Sequence, residues 1–284
     1  MQKIDKDVGF TANRDLILNA RGPNTFKYGT GINVFGTRLR AVLGAAMETQ
    51  VLREGNGSSE AAIVQIDPKG MRQDSVALEF EDGSGTVIAG LRGYVATVVV
   101  DKGRVASVSY EQAQYGGGLG IFPSGDDSIK QLHALVATAA KFGVLRIDGP
   151  PEVRERNAAQ LGNTLRMGKL FDPTLGIYAA YAYAEAALPE QIRSVHDIMK
   201  FELEVELFDV SLLADVLSGN QRIGAQAPFC PMLNQGWQFL PVKNVTLSSK
   251  LAEVQNHILP SLWTTFDPEG MSIIKSALQL QPPQ

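Results

Sequence analysis

Nucleophilic side chains are scarce in this 284-residue chain, which contains one cysteine and three histidines. The cysteine, Cys230, lies between Phe229 and Pro231 in an apolar stretch. A reactive thiolate needs a basic neighbour that lowers its pKa, and neither His196 nor His257 accompanies Cys230 in a pattern typical of cysteine enzymes. We therefore predict that Cys230 is a buried structural residue.

The other titratable side chains form only weak patterns. Glu202, Glu204 and Glu206 alternate with apolar residues, so on a strand they would share one face and could hold a divalent cation. A row of this kind is more often the solvated face of an element. His196 stands beside Asp197, and His133 lies in an apolar helical pattern, so both are interpreted as packing residues. The sequence predicts no metal site and no cofactor.

A run of glycines at 116–120 follows a strand pattern and precedes a helical one, as in a dinucleotide-binding unit. The full G-x-G-x-x-G spacing is missing, and about ten residues separate Gly116 from the start of the helix, so its amides would not point at a phosphate from a helix N-terminus. These glycines instead predict a flexible linker over 113–126.

Five residues in the second half of the chain are candidates for an interaction or structural role. A carboxylate followed by proline at 172–173 is a typical helix start, and the helix that follows is apolar on nearly every side. The two tryptophans are close in sequence and could line a peptide groove, although anchoring the core is the more common role. The candidates are Asp172, Tyr178, Tyr181, Trp237 and Trp263.

The elements that must position these residues change type near residue 115. Before it, six or seven short segments alternate with period two and are separated by turn signals; after it, the pattern is mostly helical. We divide the chain into a leader over 1–29, a β-sandwich domain over 30–112, the linker over 113–126 and an α-helical domain over 127–284. The predicted fold class is α+β, with an antiparallel, immunoglobulin-like or similar β-sandwich followed by an all-α domain.

The composition is typical of a globular protein that does not bind nucleic acid or membranes through its net charge. Hydrophobic residues make up 44% of the chain and charged residues 20%, which is enough to build a core. A net charge of −4 argues against general binding to nucleic acid or to an anionic membrane. The amino-terminal residues lack the apolar segment of a secretory signal, so we expect a cytoplasmic protein.

Three stretches together resemble a known kind of bacterial protein: residues 76–110, 169–187 and 231–263. They are similar to the accessory region that follows the peptidase domain in some bacterial multidomain caspase-like proteins. That resemblance implies a non-catalytic unit made of a β-sandwich and a helical domain. We identify no peptidase domain before residue 30, and no catalytic pair of histidine and cysteine can be placed on this chain.

The resemblance implies a non-enzymatic interaction protein that works with a separate caspase-like protease as adaptor, regulator or cleavage substrate, in the setting of bacterial defence. Its expected partner is then a protein, with no nucleic acid and no membrane involved. Two alternatives stay open. The chain could be an enzyme with a cryptic active site at the domain junction, where concave pockets often form, or a β-sandwich module that binds a small ligand.

Overall fold

The computed structural model describes residues 25–57, 60–113, 150–168, 172–217 and 226–279. Most of the predicted linker and the helix predicted from residue 127, which includes His133, lie outside these ranges. The described residues form eight strands followed by helices, so the α+β class is confirmed. No helix among them is both long and apolar enough to cross a membrane.

The strands all precede the helices in the chain. The strands are β1 (Gly31–Phe35), β2 (Leu39–Gly44), β3 (Glu48–Arg53), β4 (Ala62–Asp67), β5 (Gln73–Phe80), β6 (Gly85–Leu91), β7 (Tyr94–Asp101) and β8 (Arg104–Gln112). The helices are α1 (Pro151–Gly168), α2 (Pro173–Glu185), α3 (Pro189–Glu202), α4 (Phe208–Leu213), α5 (Gly236–Val242), α6 (Ser249–Val254) and α7 (Pro268–Gln279), with a short 3₁₀ turn at Gln255–His257.

The strands form two sheets. Sheet A has the order β3-β4-β1-β7-β8, and sheet B has the order β2-β5-β6. All neighbouring strands are antiparallel except β1 and β7, which run parallel with Gly31 opposite Val95 and Phe35 opposite Val99. The prediction of a wholly antiparallel arrangement is therefore wrong at this pair.

Strand β1 is the element that the period-two pattern does not reveal. It lies inside sheet A, between β4 and β7, and all five of its residues are buried. A strand covered on both faces has no polar side to alternate with its apolar one. Its central residue, Asn33, is also buried, which hides the segment further because asparagine is rare in strands.

The two sheets pack face to face. Ile32 of β1 and Val98 of β7 share a hydrophobic core with Val76 and Leu78 of β5 and Ile88 of β6. Every second residue of these strands points into this layer, as expected for sheets whose inner faces interdigitate.

The helices cover the opposite face of sheet B. Two polar side chains of β5 on this face bond to the helical half, since the Ser75 hydroxyl accepts the N–H of Phe229 and Glu79 accepts from the Lys275 ammonium group. Ala77 of β5 and Val87 of β6 share a second core with Phe208, Trp237 and Phe266 from the helical half of the chain. The order of layers is therefore sheet A, sheet B and helices. The strand-containing and helical halves are joined by a common core in the part of the chain that the structure describes.

A buried carboxylate attaches helix α2 to the edge of sheet A. Asp172 is the N-cap of α2, where its Oδ1 accepts the N–H of Thr174 at 2.8 Å, as the sequence predicted. Its Oδ2 accepts the N–H of Tyr110 in β8 at 3.0 Å. Because β8 is an edge strand, this N–H has no strand partner on that side, and the carboxylate takes the place of one.

We expect Asp172→Ala to lower the free energy of unfolding by about 3 kcal/mol, because it removes a helix cap and also leaves the buried N–H of Tyr110 unpaired. Asp267→Ala is the matched control. Asp267 accepts the N–H of Gly270 at the start of α7 but is partly exposed, so its loss should cost only about 1 kcal/mol. Urea unfolding compares the two, and equal losses would contradict the role given to Asp172 at the sheet edge.

Candidate functional site

The five candidate residues from the sequence lie in the interior, around helix α2. Asp172, Tyr178, Tyr181, Trp237 and Trp263 are each at least 96% buried. They therefore contact the protein's own core rather than solvent. Asp172, Tyr178 and Trp263 form one group near the edge of sheet A, and Tyr181 belongs to a second group around Asp209. The fifth candidate, Trp237, donates its indole N–H to the Thr264 hydroxyl at 3.0 Å and packs against Phe266.

The first group joins α2 to the edge of sheet A. The ring of Tyr178 meets Trp263 edge to face, with centroids 5.7 Å apart. Burial, and secondarily the charge of Asp172, raises the pKa of the Tyr178 hydroxyl, so this phenol stays protonated at physiological pH. The Tyr178 side chain is therefore suited to packing against Trp263 and not to transferring a proton.

The residues after Trp263 close one side of the two sheets. Phe266 exchanges two backbone hydrogen bonds with Gly85 of β6, at 2.7 and 3.0 Å. Thr265 accepts the N–H of Val105 in β8 through its hydroxyl at 3.0 Å. One short segment thus satisfies edge groups of both sheets, which would otherwise be open to another chain. This contact is not predictable from the local sequence pattern, whose only signal is the pair of β-branched residues at 264–265.

The second group surrounds a buried carboxylate, Asp209 in α4. The Tyr181 hydroxyl donates to Asp209 Oδ1 at 2.8 Å. The backbone N–H groups of Met232 and Leu233 donate to its Oδ2 and Oδ1 at 2.7 and 3.2 Å. A side chain at Gly236 would have its Cβ 2.5 Å from the Tyr181 hydroxyl, so glycine is needed for this close approach. The carboxylate therefore connects α2, α4 and the chain before α5.

Burial sets the electrostatics of this group. Asp209 is fully buried, and desolvation raises its pKa to about 6, although hydrogen bonds from Met232 and Tyr181 oppose the shift. Burial, with a smaller effect of the Asp209 charge, raises the pKa of the Cys230 thiol. A nucleophilic cysteine needs the opposite shift. The prediction that Cys230 is buried is confirmed.

The glutamates at 202–206 do not share a strand face. Helix α3 ends at Glu202, Glu204 forms an ion pair with Arg72, and Glu206 lies 3.0 Å from the Lys200 ammonium group. Residues 203–206 form an irregular connection before α4 and not a strand. Within the described ranges, no three histidine, cysteine, aspartate or glutamate side chains are placed to hold a metal ion.

His196 is buried beside these carboxylates. Its Nδ1 lies 3.2 Å from Asp197 Oδ1, and its Nε2 lies 3.9 Å from Glu206 Oε2, too far for a hydrogen bond. His257 makes a comparable contact, with Nδ1 3.1 Å from Asp267 Oδ2. Each imidazole is therefore oriented by a carboxylate.

Several large apolar side chains outside the predicted candidate set face solvent. Large apolar residues are exposed at six described positions: Tyr28, Val51, Leu52, Val153, Phe201 and Val242. Phe201 at the end of α3 has the largest exposed fraction, 74%. Phe201 lies in the last turn of α3, which continues through Glu202, and its side chain is directed outward.

Comparisons of the chain with models of known families, with curated proteins and with solved structures found no match.

We expect Tyr181→Phe to lower the free energy of unfolding by about 2 kcal/mol, because it removes a hydrogen bond to a buried carboxylate. The control is Tyr183→Phe on the same helix, which removes a bond to the neutral Asn163 amide oxygen and should cost about 1 kcal/mol. Chemical denaturation measures both. A larger loss for Tyr183→Phe would contradict the ordering.

Asp209 makes the stability depend on pH. Its pKa rises from an ordinary 3.8 to about 6 on folding, so the folded state binds the proton more tightly. The group's contribution to stability is present in full below about pH 4 and is lost as the pH rises through about 6. The difference in unfolding free energy between the wild type and Asp209→Asn should therefore shift by about 2 kcal/mol in favour of the wild type from pH 7 to pH 4. A constant difference over that range would show that the pKa of Asp209 is not raised.

Proposed function

We propose that this chain acts by binding another protein, with the exposed end of helix α3 as the contact. By resemblance, the partner is a separate caspase-like protease, for which this chain serves as adaptor, regulator or cleavage substrate in the cytoplasm of a bacterium with a defence system. The proposal also takes the two sheets as an immunoglobulin-like sandwich and the helices as a second functional region. Its main support is the exposure of Phe201.

Phe201 stands on the solvent side of an amphipathic helix. The other face of α3 packs inward through Ile192, Val195 and Met199. Asp197, one turn before Phe201, lies on the same face of the helix because residues four apart are neighbours, and its side chain is 61% exposed. An aromatic side chain next to a carboxylate suits a partner with an apolar pocket and a basic rim.

The end of α3 is held in place by the sheets. The backbone N–H and C=O of Glu206 bond to the side-chain amide of Gln73 at the start of β5, at 2.7 and 3.2 Å. The N–H of Val205 donates to the carbonyl oxygen of Met199, near the end of the helix, at 3.0 Å. A partner that binds Phe201 therefore has little ordering entropy to overcome, since the helix end is fixed before binding.

The test is binding of the tagged full chain to the caspase-like protease encoded nearest to it in the source genome. Phe201→Ser should weaken the complex at least about 10-fold, as expected for a buried aromatic anchor. Val242→Ser is the control, because Val242 is 71% exposed and also lies in the helical half. Equal effects of the two substitutions would exclude Phe201 as the specific anchor.

The same preparation tests the alternatives. If no protease binds and the purified chain turns over a small substrate unaided, the enzyme with a junction site replaces the interaction protein. If no protease binds and a small ligand raises the melting temperature, the ligand-binding β-sandwich module replaces it.

A further inference from the structure

Among the residues that the structure describes, none pairs with the outer edge of sheet A at β3. β3 pairs with β4 on one side and is the last strand in the order of sheet A. Its residues are exposed except Thr49, which is half-buried. Val51 and Leu52 are 39% and 48% exposed, so apolar side chains as well as backbone groups face solvent there. The edges at β6 and β8, by contrast, are contacted by Phe266, Thr265 and Asp172.

The pairing with β4 fixes which β3 side chains share a face. Glu48, Gln50 and Arg53 lie opposite Asp67, Gln65 and Ile63, which alternate along β4 and so point to one side. The register shifts between Val51 and Arg53, so that a bulge absorbs the extra residue. The outward face of β3 therefore carries, in order, a negative, a neutral and a positive side chain.

This order is self-complementary when the strand is reversed. We propose that β3 pairs antiparallel with β3 of a second copy of this chain, with the two-fold axis at Gln50. Leu52 is the extra residue of the bulge and takes no position in the pairing. Glu48 of each copy therefore faces Arg53 of the other, and Thr49 faces Val51. Isologous contacts require a surface that matches its own rotated image, and this charge order does.

The charges and the bulge also select the register. Moving the pairing by one position on this face places Gln50 opposite Glu48 or opposite Arg53, which loses both charge pairs. Glu48 already lies 2.7 Å from Lys69, and the Arg53 Nε donates to the Ala61 carbonyl at 2.8 Å, so both side chains are held at the strand. Charges and bulges on edge strands usually prevent unspecific pairing, and here they leave one favourable register.

The area of this contact is small. A pair of six-residue strands falls below the size of a standard protein interface, so the dimer should form at micromolar concentrations and not at nanomolar ones. Opposite charges across the contact further imply that added salt weakens the dimer.

Charge exchange tests the pairing. Sedimentation velocity of the full chain between about 1 and 300 μM should show a concentration-dependent dimer for the wild type. Glu48→Arg and Arg53→Glu should each weaken it at least about tenfold, because each places like charges opposite one another. An equimolar mixture of the two variants should restore the dimer, since both β3 charges are then basic in one copy and acidic in the other.

Arg92→Glu is the control for charge reversal, because Arg92 is exposed in the turn between β6 and β7 and lies away from β3. It should leave the dimer unchanged, as should Phe201→Ser, so the dimer is tested separately from partner binding. A monomeric wild type at about 300 μM, or a dimer that neither β3 variant weakens, would overturn the proposal. A mixture that stays monomeric while each variant remains folded by circular dichroism would overturn the register.

Discussion

Sheet B is covered on both faces, and the rest of the fold follows from that burial. Residues of β5 such as Val76 and Leu78 pack against sheet A, whereas Ala77 between them packs against the helices. A three-stranded sheet this narrow cannot leave either face in water without losing the apolar burial that stabilises it. The helical half is therefore a covering layer of the sheets as much as a region of its own.

Apolar contact alone does not select which backbone groups meet, and three buried carboxylates make that selection. Asp74, Asp172 and Asp209 each accept backbone N–H groups from segments distant in sequence: the connection between β2 and β3, the edge of β8, and the chain before α5. Each bond satisfies a main-chain donor that no strand or helix pairs. Each carboxylate holds its own segment against the segment that donates to it, because its loss would leave backbone N–H groups without an acceptor.

Local patterns predicted the elements better than their assembly. The bounds of β3 and the cap of α2 at Asp172 follow from turn and cap residues, which act over a few positions. The parallel pairing of β1 and the closure of the sheet edges by Thr265 and Phe266 depend on residues more than 60 positions apart in sequence, and no periodicity records them. The alternating pattern at 201–208 fits a strand as well as the end of a helix, since alternation alone does not distinguish the two.

The same division explains where function would reside. The five candidate residues predicted from the sequence are buried and stabilise the fold, so they cannot contact a partner. Two accessible features among the described residues could meet a partner. One is the aromatic side chain of Phe201 at the end of α3, and the other is the edge of β3, whose order of charges is complementary to the same order reversed. A pairing at the β3 edge would place two copies of Phe201 in one particle. A partner that itself carries two binding sites would then bind more tightly, because its second contact becomes intramolecular once the first has formed.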